Sequence, residues 1–121
     1  MSGRSVAPAG KHWLVEMYQT PELDDVARIR RALRHAVAES GVRMIRLQLH
    51  HFGVGRGVTG VALLAQSHIS IHTWPERRYA ALDIFMCGSK SNPRKALDAL
   101  REALAPGRVR VRRFRRGLGR V

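Results

Sequence analysis

The order of strand-like and helix-like apolar patterns along the chain restricts its fold more than any other feature. Apolar side chains recur at every second position over residues 12–19, which predicts a first strand. A helical spacing then runs from Pro21 to about Ser40, and Gly41 is positioned to end that helix. A second helix is predicted to begin at Asn92 and Pro93. The remaining strand-like runs cover residues 42–50, 61–64, 67–73, 79–86 and 108–114.

Because the strands cluster between the helices instead of alternating with them, the order predicts an α+β fold. We expect a two-layer sandwich in which two helices cover one face of an antiparallel-rich sheet. The other sheet face would then need a partner, so a homodimer formed through sheet faces or edges is predicted. The length fits one domain over residues 1–121, with residues 1–11 as a mobile arm because they are small, polar and contain Pro and Gly.

The charge of the chain leaves a binding function open beside an enzymatic one. The formal net charge is +13, and the arginines from Arg108 to Arg120 follow Glu102 with no further acidic residue. Such an excess favours a phosphate-bearing partner. A non-enzymatic basic RNA-binding domain is therefore one alternative. The sequence has no aromatic motif of the RRM type, so nucleic acid binding is expected to be at most non-specific.

The N-terminus and the cysteine content indicate a cytoplasmic protein. Residues 1–11 contain no apolar signal-peptide core, and no apolar run has the roughly 20 residues that a membrane-spanning helix needs. Cys87 is the single cysteine, which excludes an internal disulfide. We predict no membrane partner and no metal site.

The most specific segment of the sequence is AQSHISIHTWPE, from Ala65 to Glu76. The run GVTG precedes it, and YAALDIFMCG follows it and ends at Gly88. These runs resemble the bacterial and archaeal short form of the S-adenosylmethionine decarboxylase family, most clearly from Phe52 to Gly88. The resemblance implies a pyruvoyl-dependent carboxy-lyase that supplies the aminopropyl donor for polyamine (spermidine) biosynthesis. It also implies that the chain is made as a zymogen.

The resemblance further implies how the cofactor arises. Ser67 would attack the carbonyl of Gln66 and convert the peptide bond into an ester, and elimination would then give fragments 1–66 and 67–121. The second fragment would begin with a pyruvoyl group, which forms a Schiff base with the substrate amine and accepts electrons as carbon dioxide leaves. His72 is implied to abstract the proton that drives elimination. Thr59 replaces the serine that assists processing in the family.

The same resemblance assigns residues to turnover and to substrate binding. Cys87 would return a proton to the substrate carbon, Phe52 would stack on adenine, and Glu76 would accept hydrogen bonds from the ribose hydroxyls. Taken alone, Cys87 is also typical of a small buried hydrophobe. Ser67 and His72 point to opposite sides of a regular strand, so contact between them requires a kink or a chain break near the serine.

Three features depart from the family pattern. Gln66 stands where glutamate is usual, so we expect slower but not abolished cleavage. The turn after Phe52 is about one residue longer than usual, and Arg77 and Arg78 replace a tyrosine and a glycine. The longer turn bears on the position of the stacking ring. It leaves open the alternative that the substrate is arginine or ornithine.

Overall fold

A computed structural model of the chain describes residues 8–118, which form one antiparallel sheet of six strands with two helices. The spatial order of the strands is β2-β3-β4-β5-β1-β6. The predicted α+β two-layer sandwich is confirmed. In chain order the elements are β1 (Gly10–Tyr18), α1 (Val26–Ser40), β2 (Met44–His51), β3 (Val58–Leu64), β4 (Ser67–Trp74), β5 (Tyr79–Met86), α2 (Pro93–Leu104) and β6 (Arg108–Arg116), with a short 3₁₀ turn (Pro75–Arg77) between β4 and β5.

The two faces of the sheet differ in composition because successive strand residues point to opposite sides. One face packs on α1 and α2 and forms the core with side chains such as Met17, Ile69, Ile71, Ile84 and Met86 from the sheet and Leu33, Leu97 and Leu100 from the helices. No helix or loop within residues 8–118 covers the other face, which is called the open face below. It is formed by alternate residues of the strands, among them His12, Leu14, Glu16, Thr59, Val61, Leu63, His68, Ser70, His72, Ala81, Asp83 and Phe85.

Helix α1 begins five residues later than the sequence pattern predicts. The side chain of Asp25 accepts a hydrogen bond from the Arg28 N–H and caps the helix, whereas Glu22 has a φ of 55° that is incompatible with a helix. Leu23 lies in the turn before the helix and is buried in the core, so its position in the sequence fitted the apolar spacing of a helix. The predicted start at Pro21 is therefore wrong.

Most of the other predicted ends agree closely with the structure, although β3 begins at Val58, three residues before its predicted start at Val61. Gly41 ends α1 with a φ of 78°, and Asn92 caps α2 by accepting a hydrogen bond from the Lys95 N–H. Strand β1 begins at Gly10, so the last two residues of the predicted mobile arm belong to the sheet instead. Residues 1–7 of that arm lie outside the described residues. None of the helices within residues 8–118 is long and apolar enough to cross a membrane.

Candidate functional site

The hairpin between β3 and β4 places a residue with a strained backbone conformation at the predicted cleavage position. Leu64 pairs with Ser67, so only Ala65 and Gln66 form the turn. Gln66 has a φ of 60°, a left-handed conformation that residues with a Cβ rarely adopt. Conformations of this kind concentrate at functional sites because they persist only where the surrounding structure imposes them. The residue that precedes the predicted cleavage point thus has an unfavourable backbone conformation.

Ser67 lies at the first position of β4 and is held by the strand beside it. Its side chain is 6% exposed, and its Oγ accepts a hydrogen bond from the backbone N–H of Cys87 over 3.1 Å. Cys87 comes directly after β5, which runs antiparallel to β4, and it is half-buried. The structure therefore brings together Ser67 and Cys87, which are 20 residues apart in the sequence.

Thr59 and His72 form a second pair, on the open face. They lie directly opposite each other in β3 and β4, and Thr59 Oγ1 is 3.1 Å from His72 Nδ1. A hydroxyl and an imidazole in contact can exchange or share a proton. The structure thus pairs the two side chains that the resemblance assigned to processing together with Ser67.

The two pairs are far apart within one chain. His72 lies five residues beyond Ser67 in the same strand, which corresponds to about 16 Å at roughly 3.3 Å per residue. The pairing of β4 is continuous from Ser67 with β3 and from His68 with β5, so β4 has no kink between Ser67 and His72. Ser67 is buried on the helix side whereas His72 is exposed on the open face. One chain alone therefore does not bring His72 to Ser67.

Phe52 and Glu76 lie in two neighbouring loops at one end of the sheet. Phe52 follows β2, is 53% exposed, and packs edge-on against His50 with ring centroids 4.7 Å apart. Glu76 is exposed in the 3₁₀ turn. The two loops touch, because a Cβ on Gly57 would lie 2.3 Å from the Thr73 carbonyl oxygen and close to the ring of the proline before Glu76. The structure shows no contact between Ser67 and either Phe52 or Glu76.

A cluster of polar side chains on the open face was not foreseen from the sequence. Arg116 Nη1 donates to His12 Nδ1 over 3.0 Å, and the opposite nitrogen of His12 donates to Asp83. Asp83 also accepts from His68. Burial works to raise the pKa of Asp83, but the hydrogen bonds from the two histidines outweigh it, so the pKa lies below its ordinary value.

This cluster borders the predicted cleavage position. An open depression of about 520 Å³ is lined by His12, His68, Arg116 and Phe85 together with Gln66 and Ser67. Ser67 therefore borders this depression although it is largely buried. The alternation of HWLVEMY and ALDIFM places His12 and Asp83 on one side of their strands, and this was the signal that could have identified them.

The arginines of β6 make contacts within the chain. The guanidinium carbon of Arg113 lies 4.7 Å from the ring centroid of Trp13, and that of Arg108 lies 5.2 Å from the ring of Tyr18. Arg112 is 3.9 Å from the carboxylate of Glu16. These three arginines thus contact side chains of β1 while most of the basic strand stays exposed.

Comparison with known proteins gives a consistent set of similarities. A family model described as S-adenosylmethionine decarboxylase matches residues 11–117. The S-adenosylmethionine decarboxylase proenzyme of Thermomicrobium roseum is 40% identical over 109 residues, covering 90% of this chain and 94% of that protein. The proenzyme of Methanococcus aeolicus is 44% identical over 110 residues, with 89% and 93% covered. The crystal structure of the adenosylmethionine decarboxylase from Aquifex aeolicus superposes with a TM-score of 0.85 at 36% identity, covering 93% of each chain.

Proposed function

The chain belongs to the S-adenosylmethionine decarboxylase family, and we propose that it is a proenzyme that cleaves itself and then decarboxylates S-adenosylmethionine. The observation that carries this proposal is the arrangement at Ser67. Its hydroxyl is fixed by the Cys87 N–H directly after a residue in a left-handed conformation. A hydroxyl held directly after a residue with a strained backbone suits an acyl shift at the peptide that joins the two residues.

In the proposed processing reaction, Ser67 Oγ attacks the carbonyl carbon of Gln66 and the C–N bond of the peptide breaks. This step leaves an ester and a free amine on residue 67. Removal of the Ser67 α-proton then breaks the Cβ–Oγ bond and releases Gln66 as a carboxylate, so that residue 67 becomes dehydroalanine. Addition of water and loss of ammonia convert it into a pyruvoyl group. No side-chain atom of Gln66 is consumed.

The residues around Ser67 suit the chemistry of such a group. When present, it supplies a ketone that withdraws electrons from the substrate as carbon dioxide leaves. The Cys87 N–H donates to Ser67 Oγ, which places the residue that carries the thiol beside the site. We infer that Cys87 returns a proton to that carbon. Phe52 and Glu76 are proposed to bind the nucleoside, from the adjoining loops that they occupy.

We propose that the active protein is a homodimer in which two open faces meet. Large apolar side chains on this side of the sheet are exposed in one copy, including Val61, Leu63, Trp74 and Phe114 at 40–47%. Exposed apolar groups of this kind favour association because burial removes them from water. In such a dimer, processing would not require contact between Ser67 and His72 of the same copy, which lie about 16 Å apart along β4. His72 and Thr59 of one copy would then act on Ser67 of the second copy.

The processing step is tested by mass spectrometry under denaturing conditions. We expect two fragments, residues 1–66 and 67–121, the second beginning with pyruvoyl. Ser67→Ala should remain full length because the nucleophile is missing, and Gln66→Glu should cleave at least as fast as the native chain. A native chain that stays intact after prolonged incubation, without a carbonyl group that reacts with hydrazine, would contradict the proposal.

The substrate is tested by carbon dioxide release. Purified, cleaved protein offered carboxyl-labelled S-adenosylmethionine, arginine and ornithine should release label fastest from S-adenosylmethionine, since Phe52 offers an exposed ring for a purine. Release of label should be absent from uncleaved Ser67→Ala. A clear preference for arginine or ornithine would retain the pyruvoyl chemistry and replace the substrate.

A further inference from the structure

The loop that carries Phe52 is rich in glycine and exposes its central residue. This segment, Phe52–Gly57, is called the Phe52 loop. Its three glycines have φ values of 117°, 75° and 91°, and Val54 within it is 95% exposed. Glycine in such conformations loses more backbone freedom on ordering than other residues. Two backbone hydrogen bonds lie within the loop, from Arg56 to Gly53 and from Phe52 to Gly57, and a contact from outside the loop would order it further.

That partner is the carboxylate of Asp24, which lies before α1. Its Oδ2 accepts a hydrogen bond from the Gly55 N–H over 2.7 Å, and its Oδ1 accepts from the Gly57 N–H over 3.0 Å. His51 Nε2 donates to the same Oδ1 over 2.8 Å. Because Gly57 O in turn accepts from the Phe52 N–H over 3.0 Å, a single side chain holds both ends of the loop.

The backbone next to Asp24 is fixed by packing and hydrogen bonds. Its neighbour Leu23 is buried in the core, and the Leu23 carbonyl accepts a hydrogen bond from Thr73 Oγ1 over 2.7 Å. Thr73 also accepts from the N–H of Val58, the residue after the loop. The position of the Asp24 carboxylate relative to β3 and β4 is therefore set by packing that does not depend on the loop.

The carboxylate is kept charged by the groups that it binds. The hydrogen bond from the Gly55 N–H, followed by those from His51 and the Gly57 N–H, holds the pKa of Asp24 below its ordinary value. A carboxylate accepts hydrogen bonds through both oxygens, whereas an amide would turn a donor toward one of these N–H groups. Replacing Asp24 by asparagine therefore disturbs the loop without changing side-chain size.

We propose that Asp24 is a positioning residue that fixes the Phe52 loop, so that the Phe52 ring is presented to the nucleoside of the substrate. This inference rests on the proposed function, in which Phe52 stacks on adenine. The structural basis is the three hydrogen bonds that connect Asp24 to His51, Gly55 and Gly57. Asp24 would act on substrate binding and would have no part in forming the cofactor.

The test compares Asp24→Asn with Asp25→Asn in the full-length protein. Asp24→Asn should raise KM for S-adenosylmethionine about tenfold, within the range that a base–aromatic stack contributes, and should leave kcat within about twofold. Self-cleavage, followed by mass spectrometry, should proceed as in the native chain, which also shows that the variant folds. Asp25→Asn removes an adjacent carboxylate that caps α1 and should leave KM unchanged.

A double-mutant cycle distinguishes positioning from general destabilisation. If Asp24 acts through the ring, Asp24→Asn should raise KM no further in a chain that already carries Phe52→Ala. Additive effects on KM, or an unchanged KM in Asp24→Asn, would overturn the inference while leaving the decarboxylase intact. A native protein that cleaves but releases no carbon dioxide from S-adenosylmethionine would overturn the proposed function, and this inference with it.

Discussion

Co-expression of Ser67→Ala with His72→Ala should restore self-cleavage that neither variant shows alone. Ser67→Ala lacks the proposed nucleophile, and His72→Ala lacks the proposed base that would remove the α-proton. In a mixed dimer, the intact His72 of the first variant would face the intact Ser67 of the second. This result is expected because Ser67 and His72 lie on opposite faces of β4, about 16 Å apart along the strand.

The identity of the cleaved chain makes the experiment specific. Only the His72→Ala chain should be cut, and about half of its copies should be cut if the two variants pair at random. Mass spectrometry identifies the fragments, since the His72→Ala substitution lies in fragment 67–121. In the control, His72→Ala is co-expressed with a chain that carries both substitutions, and no cleavage should occur.

Two outcomes would contradict this arrangement. A mixture that forms dimers but remains uncleaved would show that His72 does not act across the two copies. Cleavage of His72→Ala alone at the native rate would show that His72 is not the base in processing.

Cys87→Ala should separate cofactor formation from turnover. The contact between Cys87 and Ser67 runs through the backbone N–H, which alanine retains, so self-cleavage should be close to native. Loss of the thiol removes the proposed proton donor, and turnover should fall by about 100-fold or more, as for other general acids. Mass spectrometry measures the first quantity and release of labelled carbon dioxide measures the second.

A matched control is Ser89→Ala, which changes an exposed residue two positions further along the same loop and should affect neither quantity. Unchanged turnover in Cys87→Ala would show that the thiol has only a packing role and that another group protonates the substrate. Loss of cleavage would instead show that the side chain takes part in processing.

Much of this fold follows from local patterns. The two-residue alternation in SHISIHTW predicted a strand in which Ser67 and His72 point apart, and the structure has that strand. The start of α1 was predicted wrongly, because the buried Leu23 fits a helical spacing while the cap is supplied by Asp25. Sequence periodicity reports which side chains are apolar, but it does not report which polar group ends a helix.

The role of Asp24 could not be predicted for a different reason. Two of its partners are backbone N–H groups, 31 and 33 residues further along the chain, and a backbone amide leaves no mark in the sequence. The same applies to the Cys87 N–H that holds Ser67. The candidate residues of the site were predicted from motif resemblance, whereas their division into two distant pairs required the register of β3, β4 and β5.

The strand order gives self-cleavage a consequence for how the protein can be assembled. A cut after Gln66 divides the sheet so that β1, β2 and β3 belong to one peptide and β4, β5 and β6 to the other. Because β1 lies between β5 and β6, and α1 packs on α2, the two peptides are interleaved and do not separate as two halves. Folding of the uncut chain is a first-order process, but renaturation of the cut protein needs two molecules to meet and becomes dependent on concentration. The proposed processing therefore favours folding before cleavage, since a cut molecule that unfolds in dilute solution would no longer have the covalent link between its two peptides.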